Sequence, residues 1–234
     1  MNPVLAFDIY GTLIDPYSME AHLEQTFGNK AKDATQIWRD KQIEFSFRRA
    51  LMRRYVDFNV CTAQALDYVC QRFDAHLSGA DRQTLLDLYL GLPAFPDAAP
   101  ALRALSRRGY SLIAFSNGTE TAVRTLLQRA AVVDLFSSIV SVDDVKSFKP
   151  DPVVYEYLIT RSGAPKDLVW LVSSNVFDVI GAISCGLRTA WVQRDRSSIL
   201  DLAEFSPDVV VNGLTDLPTT LDSLLHARQS SIPH

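Results

Sequence analysis

The sequence predicts an α/β protein: a doubly wound parallel (Rossmann-like) sheet core with an inserted helical cap domain. Three observations lead there. Six short, almost continuously apolar runs recur along the chain, helical patterns separate later ones, and one long stretch after the first run carries helix alone. Four-residue apolar runs are too short for buried helices, and most are rich in β-branched residues, the pattern of strands buried on both faces. Strand alternating with helix means a parallel sheet covered on both sides.

The runs are Val4–Phe7, Leu112–Phe115, Ile139–Val142, Val169–Val172, Thr189–Val192 and Val209–Val211. From about Pro16 to Phe95 there is no convincing strand, only the helical segments His22–Phe27, Ala34–Tyr55, Ala63–Phe73 and Asp81–Leu90. Met52, Tyr55, Phe58, Leu66 and Val69 supply an apolar stripe at helical spacing there. Ligands in open α/β sheets bind beyond the carboxyl ends of the strands, so an insertion after the first strand reads as a cap over them. Helices that merely extend the core are the alternative. Further on, Pro100–Arg108 leads into the second strand, Glu120–Ala130 follows it, and Pro152–Ser162 and Phe177–Cys185 separate later strands. Gly109, Gly163 and Gly186 stand where those helices should stop. The division is residues 1–15 and 97–234 for the core and 16–96 for the cap. The tail from Arg228 to His234 is polar and reads as frayed.

Composition narrows the function. The 234 residues carry 23 Lys plus Arg against 27 Asp plus Glu, a formal net charge of −4, with 47% hydrophobic and 21% charged residues. That is the balance of a soluble globular enzyme. A chain this long buries roughly 70–75% of its unfolded surface, so it needs no disulfide or metal to hold a core. The Arg pairs at 48–49, 53–54 and 107–108 are scattered, with no basic stripe, so no nucleic-acid partner is expected. Cys61, Cys70 and Cys185 form no CxxC and cannot all pair, and they read as small buried hydrophobes in a reducing cytosol. MNPVLAFDIYG lacks the basic head and apolar stretch of a signal peptide, and no run approaches the ~20 apolar residues of a membrane span. A cytoplasmic protein without membrane association is expected.

The chemistry falls at strand ends. The first strand runs into Phe7-Asp8-Ile9-Tyr10-Gly11-Thr12, where an aspartate projects into the ligand crevice and Gly11 permits a tight turn. Ser116-Asn117-Gly118 follows the second, Lys149-Pro150 the third, and Ser173-Ser174-Asn175 with Asp178 the fourth. Singly, Asn117 or Ser173 reads as a helix cap. Jointly, four strand ends deliver Asp, Thr, Ser, Asn, Lys, Ser, Asn and Asp to one mouth.

Those four segments, in order and spacing over nearly the whole chain, resemble the motifs of the haloacid dehalogenase superfamily. Phosphatases of that superfamily place a second aspartate two residues after the nucleophile and usually carry Gly-Asp for Mg²⁺ in the fourth motif. Here those positions are Tyr10 and Ser173-Ser174. With Asp8 and Asp178 the only motif carboxylates, a hard dication is poorly provided for, and no cofactor is expected. The substitutions match L-2-haloacid dehalogenases instead. Trp38 to Phe45 resembles the cap helix by which those enzymes present an arginine, here Arg39, which composition alone would leave as a solvated helix arginine. Tyr55-Val56-Asp57-Phe58 resembles an aromatic lining segment, and Lys149 to Tyr155 keeps their Lys and Tyr spacing. Asn59 and Phe177 stand where tryptophan is commoner, Phe47 where another aromatic is, and Ile9 where a small residue is.

The resemblance implies these roles. Asp8 attacks the α-carbon of a short (S)-2-haloacid, expelling halide and forming an ester with inversion. Lys149 keeps Asp8 anionic, since opposite charge within ~4–6 Å favours an ionised carboxylate, while Thr12 and Ser173 donate hydrogen bonds to it. Arg39 and Asn117 receive the halide. Ser116 and the backbone near Tyr10 anchor the substrate carboxylate, and Phe58, Phe177 and Ile43 exclude water. Water then attacks the Asp8 carbonyl carbon, positioned or deprotonated by Asp178 with Asn175 and Ser173; a helix-start aspartate is the plainer alternative for Asp178. Tyr155 supports Lys149 or Arg39, and a homodimer is implied. A magnesium-dependent phosphatase and a non-catalytic carboxylate binder are the competing readings.

Overall fold

The computed structural model describes residues 3–229. Its core is a six-stranded parallel sheet of β1 (Val4–Phe7), β2 (Ser111–Ser116), β3 (Ser138–Ser141), β4 (Val169–Ser173), β5 (Arg188–Val192) and β6 (Val209–Val211), in the order β3-β2-β1-β4-β5-β6. The chain winds outward from β1 to one edge, then returns to β4 on the other side, so the crevice opens at the end of β1. Phe7 is level with Ala114 of β2 and with Val172 of β4. Residues one or two positions beyond those therefore share one rim.

Amphipathic helices cover the sheet. In α5 (Ala98–Arg107) the buried residues Ala98, Ala101, Leu102 and Leu105 fall on one face, as do Ala122, Val123, Leu126 and Leu127 of α6 (Glu120–Arg129). α7 (Pro152–Ser162) starts with proline at its first position behind an Asp151 cap and ends at Gly163 in the left-handed region. α8 (Val176–Ser184) and α9 (Leu217–Gln229) complete the layers. The sequence reading has no counterpart for α9. Residues 228 and 229 continue that helix, and the rest of the expected frayed tail, 230–234, lies outside the described residues.

Four helices are inserted between β1 and β2, numbered here in chain order before α5: α1 (Glu20–Phe27), α2 (Ala31–Leu51), α3 (Phe58–Phe73) and α4 (Gly79–Tyr89). Two strand-like linkers join the insert to the sheet and pair with each other, Asp15 N–H donating to Pro93 O and Phe95 N–H to Leu13 O, each at 2.9 Å. Arg194 ties them to the core: it donates to Thr12 O at 2.6 Å and to Asp97 at 3.0 Å, and stacks 3.8 Å from the Phe95 ring.

The expected helix over 34–55 differs in the structure. α2 stops at Leu51, and Arg53 adopts φ 52°. Met52 is therefore 58% exposed and leaves the apolar stripe, while Tyr55 turns its ring onto Phe148, centroids 4.8 Å apart. Asp57 then caps α3 by accepting from Asn59 and Val60 N–H, starting that helix five residues earlier than expected. Cys61 is buried, but Cys70 and Cys185 are only half-buried. Among the described residues no helix is long and apolar enough to cross a membrane.

Candidate active site

Asp8 is the first residue past β1 and is 6% exposed. Gly11, at φ +90°, reverses the chain behind it in a conformation that L side chains rarely adopt. The turn brings Thr12 back, and its hydroxyl donates to Asp8 Oδ2 at 2.8 Å. The same hydroxyl accepts Ser174 N–H at 2.8 Å, and Ser174 Oγ donates to Gly11 O at 2.6 Å, stitching the first loop to the fourth. Asn175, the residue just before α8, makes no side-chain cap to that helix and instead spends one Nδ2 hydrogen on Asp8 Oδ2 at 2.7 Å and the other on Tyr10 O at 2.9 Å.

Lys149 is 1% exposed and uses all three of its N–H donors. They reach Asp8 Oδ1 at 3.0 Å, Asp178 Oδ2 at 2.8 Å and Phe115 O at 3.0 Å. Burial pulls its ammonium down, but the carboxylates of Asp178 and Asp8 outweigh burial and raise it above the ordinary lysine value. Asp178 is fully buried and accepts the Tyr155 hydroxyl on Oδ1 at 2.8 Å. Burial raises its carboxyl above the usual range; Lys149 pulls it down and Asp8 pushes it up. Gly181 on α8 is what lets Tyr155 approach: a Cβ there would lie 2.5 Å from the Tyr155 oxygen.

From the insert, α2 brings Arg39, 6% exposed, to donate to Tyr10 O at 3.1 Å and to Gln42 Oε1 at 3.4 Å. The Tyr10 ring is flanked by Phe58 and Tyr89, both 5.8 Å away, and burial pushes its hydroxyl well above the ordinary value. Phe177 meets Phe47 of α2 edge-on at 5.1 Å on the other wall. On the sheet side, Ser116 Oγ accepts Gly118 N–H at 3.0 Å and Asn117 Oδ1 accepts Lys149 N–H at 3.0 Å. Among the described residues nothing takes the Ile9 or Tyr10 backbone N–H or the Ser116 hydroxyl hydrogen. These are donors suited to a carboxylate.

The described buried charged residues are Asp8, Arg39, Lys149 and Asp178, all of them in this one site. Burying charge is costly unless it is paired, so their concentration in one place marks chemistry rather than packing.

Two expectations change in detail, and one departure from the family's pattern finds its place. Ser173 does not donate to Asp8; its hydroxyl accepts Asn175 N–H at 3.1 Å, and Asn175 supplies the second bond to Asp8. Tyr155 reaches Lys149 through Asp178 and has no bond to Arg39. Asn59 is exposed in the first turn of α3 and does not shape the pocket. Sequence reasoning missed Gln42 and Tyr89. Gln42 lies three residues past Arg39 on one helix face, a spacing that could have flagged it.

Residues 3–186 match the haloacid dehalogenase-like hydrolase family. The chain belongs to that family. It is 35% identical over 210 residues to an (S)-2-haloacid dehalogenase of Pseudomonas sp. (strain YL), covering 90% of each chain. It is 33% identical to haloacetate dehalogenase H-2 of Moraxella sp. (strain B), over 95% of this chain and 96% of that one. A solved L-2-haloacid dehalogenase from Xanthobacter autotrophicus with chloropropionic acid covalently bound superposes with TM-score 0.87 at 30% identity, over 96% of this chain and 100% of that chain.

Proposed function

We propose that this protein hydrolyses short (S)-2-haloalkanoic acids to (R)-2-hydroxy acids through an ester on Asp8, with inversion at carbon. The observation that carries this is the bonding of the Asp8 carboxylate. Thr12 and Asn175 occupy both lone-pair directions of Oδ2, whereas Oδ1 meets only the Lys149 ammonium and keeps a lone pair. Oδ1 is thus oriented and free to attack carbon in line.

The substrate carboxylate binds the Ser116 hydroxyl and the Ile9 and Tyr10 amides. Its α-carbon then faces Asp8 and its halogen faces Arg39 and Asn117, where negative charge grows as the bond breaks. Phe58, Phe177 and Ile43 keep bulk water away. In the second step water attacks the Asp8 carbonyl carbon, cleaving the acyl C–O bond. Asn175 orients that water and Asp178, whose burial raises its proton affinity, takes the proton. Ser173 holds the Asn175 backbone, and Tyr155 holds Asp178. We assign residues 16–96 to the cap and 1–15 with 97–234 to the core, and infer a cytoplasmic homodimer.

The test is halide release from (S)-2-chloropropionate in the presence of EDTA. A phosphatase or a passive carboxylate binder stays silent under those conditions. Single turnover in heavy-oxygen water must put label into the Asp8 side chain; an unlabelled side chain and product would end the covalent route.

A further inference from the structure

Gln42 is fully buried on α2, one turn beyond Arg39. Its side-chain oxygen accepts the Tyr89 hydroxyl at 2.8 Å and Arg39 Nη1 at 3.4 Å. A guanidinium only donates, so the carboxamide must present its oxygen to Arg39 and turn its NH₂ away. That Nε2 is sealed from solvent and has no hydrogen-bond partner among the described residues. Unmet buried donors are rare in folded proteins and call for a partner the resting chain does not supply.

The surroundings select the kind of partner. Arg39 is buried beside it without a carboxylate counterion among the described residues, so the locality is positive and invites an anion. The walls are aromatic: Tyr89 stacks on Tyr10 at 5.8 Å and packs against Trp38 at 5.2 Å. N–H donors backed by a cation among aromatic rings suit a small, weakly hydrated anion. We propose that Gln42 Nε2 donates, together with Arg39, to the departing halide, and so helps set which halogen the enzyme prefers. This rests on the dehalogenase reading above. The smaller halides accept hydrogen bonds more strongly, so this donor favours chloride over bromide in the transition state.

Gln42→Glu keeps the oxygen that holds Arg39 and Tyr89 but removes the N–H donors and gives Arg39 a carboxylate partner. It must therefore weaken halide binding if the proposal holds, and the amide signal of Gln42 itself separates a halide donor from a residue that only positions Arg39. Bromide and chloride binding, measured calorimetrically on the resting enzyme at fixed ionic strength, should weaken at least tenfold. The ratio of kcat/KM for 2-chloro- over 2-bromopropionate should fall several-fold, and Gln42→Met should lower both quantities too. Should neither variant fold, the Gln42 side-chain amide of ¹⁵N-glutamine-labelled wild type, assigned through its contact with Tyr89, must shift on bromide addition. Wild-type halide affinity and selectivity in folded Gln42→Glu, or an amide signal blind to bromide, overturns the proposal. A wild type whose Gln42 amide responds to bromide but which releases halide from no 2-haloacid refutes the dehalogenase reading and leaves the anion site standing.

Discussion

Tyr155→Phe weighs most on the hydrolytic half of the reaction. The variant keeps the ring that packs edge-on against Phe115 at 5.8 Å and removes only the hydroxyl that donates to Asp178 Oδ1 at 2.8 Å and to Asp178 O at 3.2 Å. A hydrogen bond to a charged group contributes about 1.5–3 kcal/mol. The Tyr155 bond favours the ionised carboxylate, opposing burial, which already raises the Asp178 carboxyl. Removing it favours the protonated form further, by about one to two pH units at 1.36 kcal/mol per unit. A protonated Asp178 cannot accept the proton of the attacking water, so the acid limb of ester hydrolysis must move upward in pH by that amount. Ester formation, which needs Asp178 only as the charged partner of Lys149, should slow over the same pH range but less than hydrolysis. Rapid-quench single turnovers across pH, with the Asp8 ester followed by protein mass, separate the two steps. Ester should accumulate in the variant at neutral pH and decay normally at higher pH. An unshifted limb alongside a lowered melting temperature would mean Tyr155 only packs, and the assignment of Asp178 as base would lose its support.

Four further outcomes follow from particular contacts. Gly181→Ala gains up to ~1 kcal/mol of helix propensity, but its methyl would sit 2.5 Å from the Tyr155 oxygen and 2.7 Å from Pro150 Cβ, an overlap costing about 1–3 kcal/mol. It should lower the melting temperature and copy the Tyr155→Phe hydrolysis defect. Thr12→Val removes a donor to Asp8 and strands the Ser174 N–H, so stability should fall by about 1–3 kcal/mol and ester formation by roughly ten- to hundredfold, with Thr12→Ser restoring both. Tyr55→Phe breaks the 2.8 Å bond by which the insert grips Asp143 yet leaves the ring on Phe148, so KM should rise several-fold while kcat changes little in steady-state assays. Asp178→Asn should slow ester formation as well as hydrolysis, each by at least about tenfold in the same rapid-quench experiment, equivalent to ~1.4 kcal/mol of barrier.

The legible part of the molecule was the part governed by burial. Val169 to Val172 read as a buried strand because a sheet covered on both faces leaves no room for polar residues; Asp8 stood out as a charge immediately beyond such a run, and Lys149 and Asp178 lie seven and six residues past the ends of later ones. Side-chain direction was less accessible. Ser173 and Asn175 both lie at the end of β4, and only the folded loop decides that the amide, rather than the hydroxyl, reaches Asp8. The end of α2 was illegible for another reason: Met52 and Tyr55 continue the apolar spacing, while the reversal at Arg53 is a left-handed backbone choice with no glycine to announce it. Gln42 and Tyr89 belong to different helices, 47 residues apart, and meet only because both close over Arg39.

The disposition of buried charge explains why Asp178 matters before any water is activated. The four buried ionic groups sum to zero formally, but unevenly: Lys149 faces two carboxylates, and Arg39 faces none among the described residues. In the proposed reaction, substrate adds a carboxylate at the Ser116 end and begins displacement with its halogen toward Arg39. As the carbon–halogen bond breaks, one negative charge leaves Asp8, which becomes a neutral ester, and appears on halide. Lys149 is then left with Asp178 alone, and Arg39 acquires the halide. Each buried cation thus ends with one anion, so the reaction moves charge from the crowded side of the site to the vacant one. Without Asp178, the ester state would strand the Lys149 ammonium in a fully buried position, a costly arrangement, so the ester barrier must rise along with the hydrolytic one.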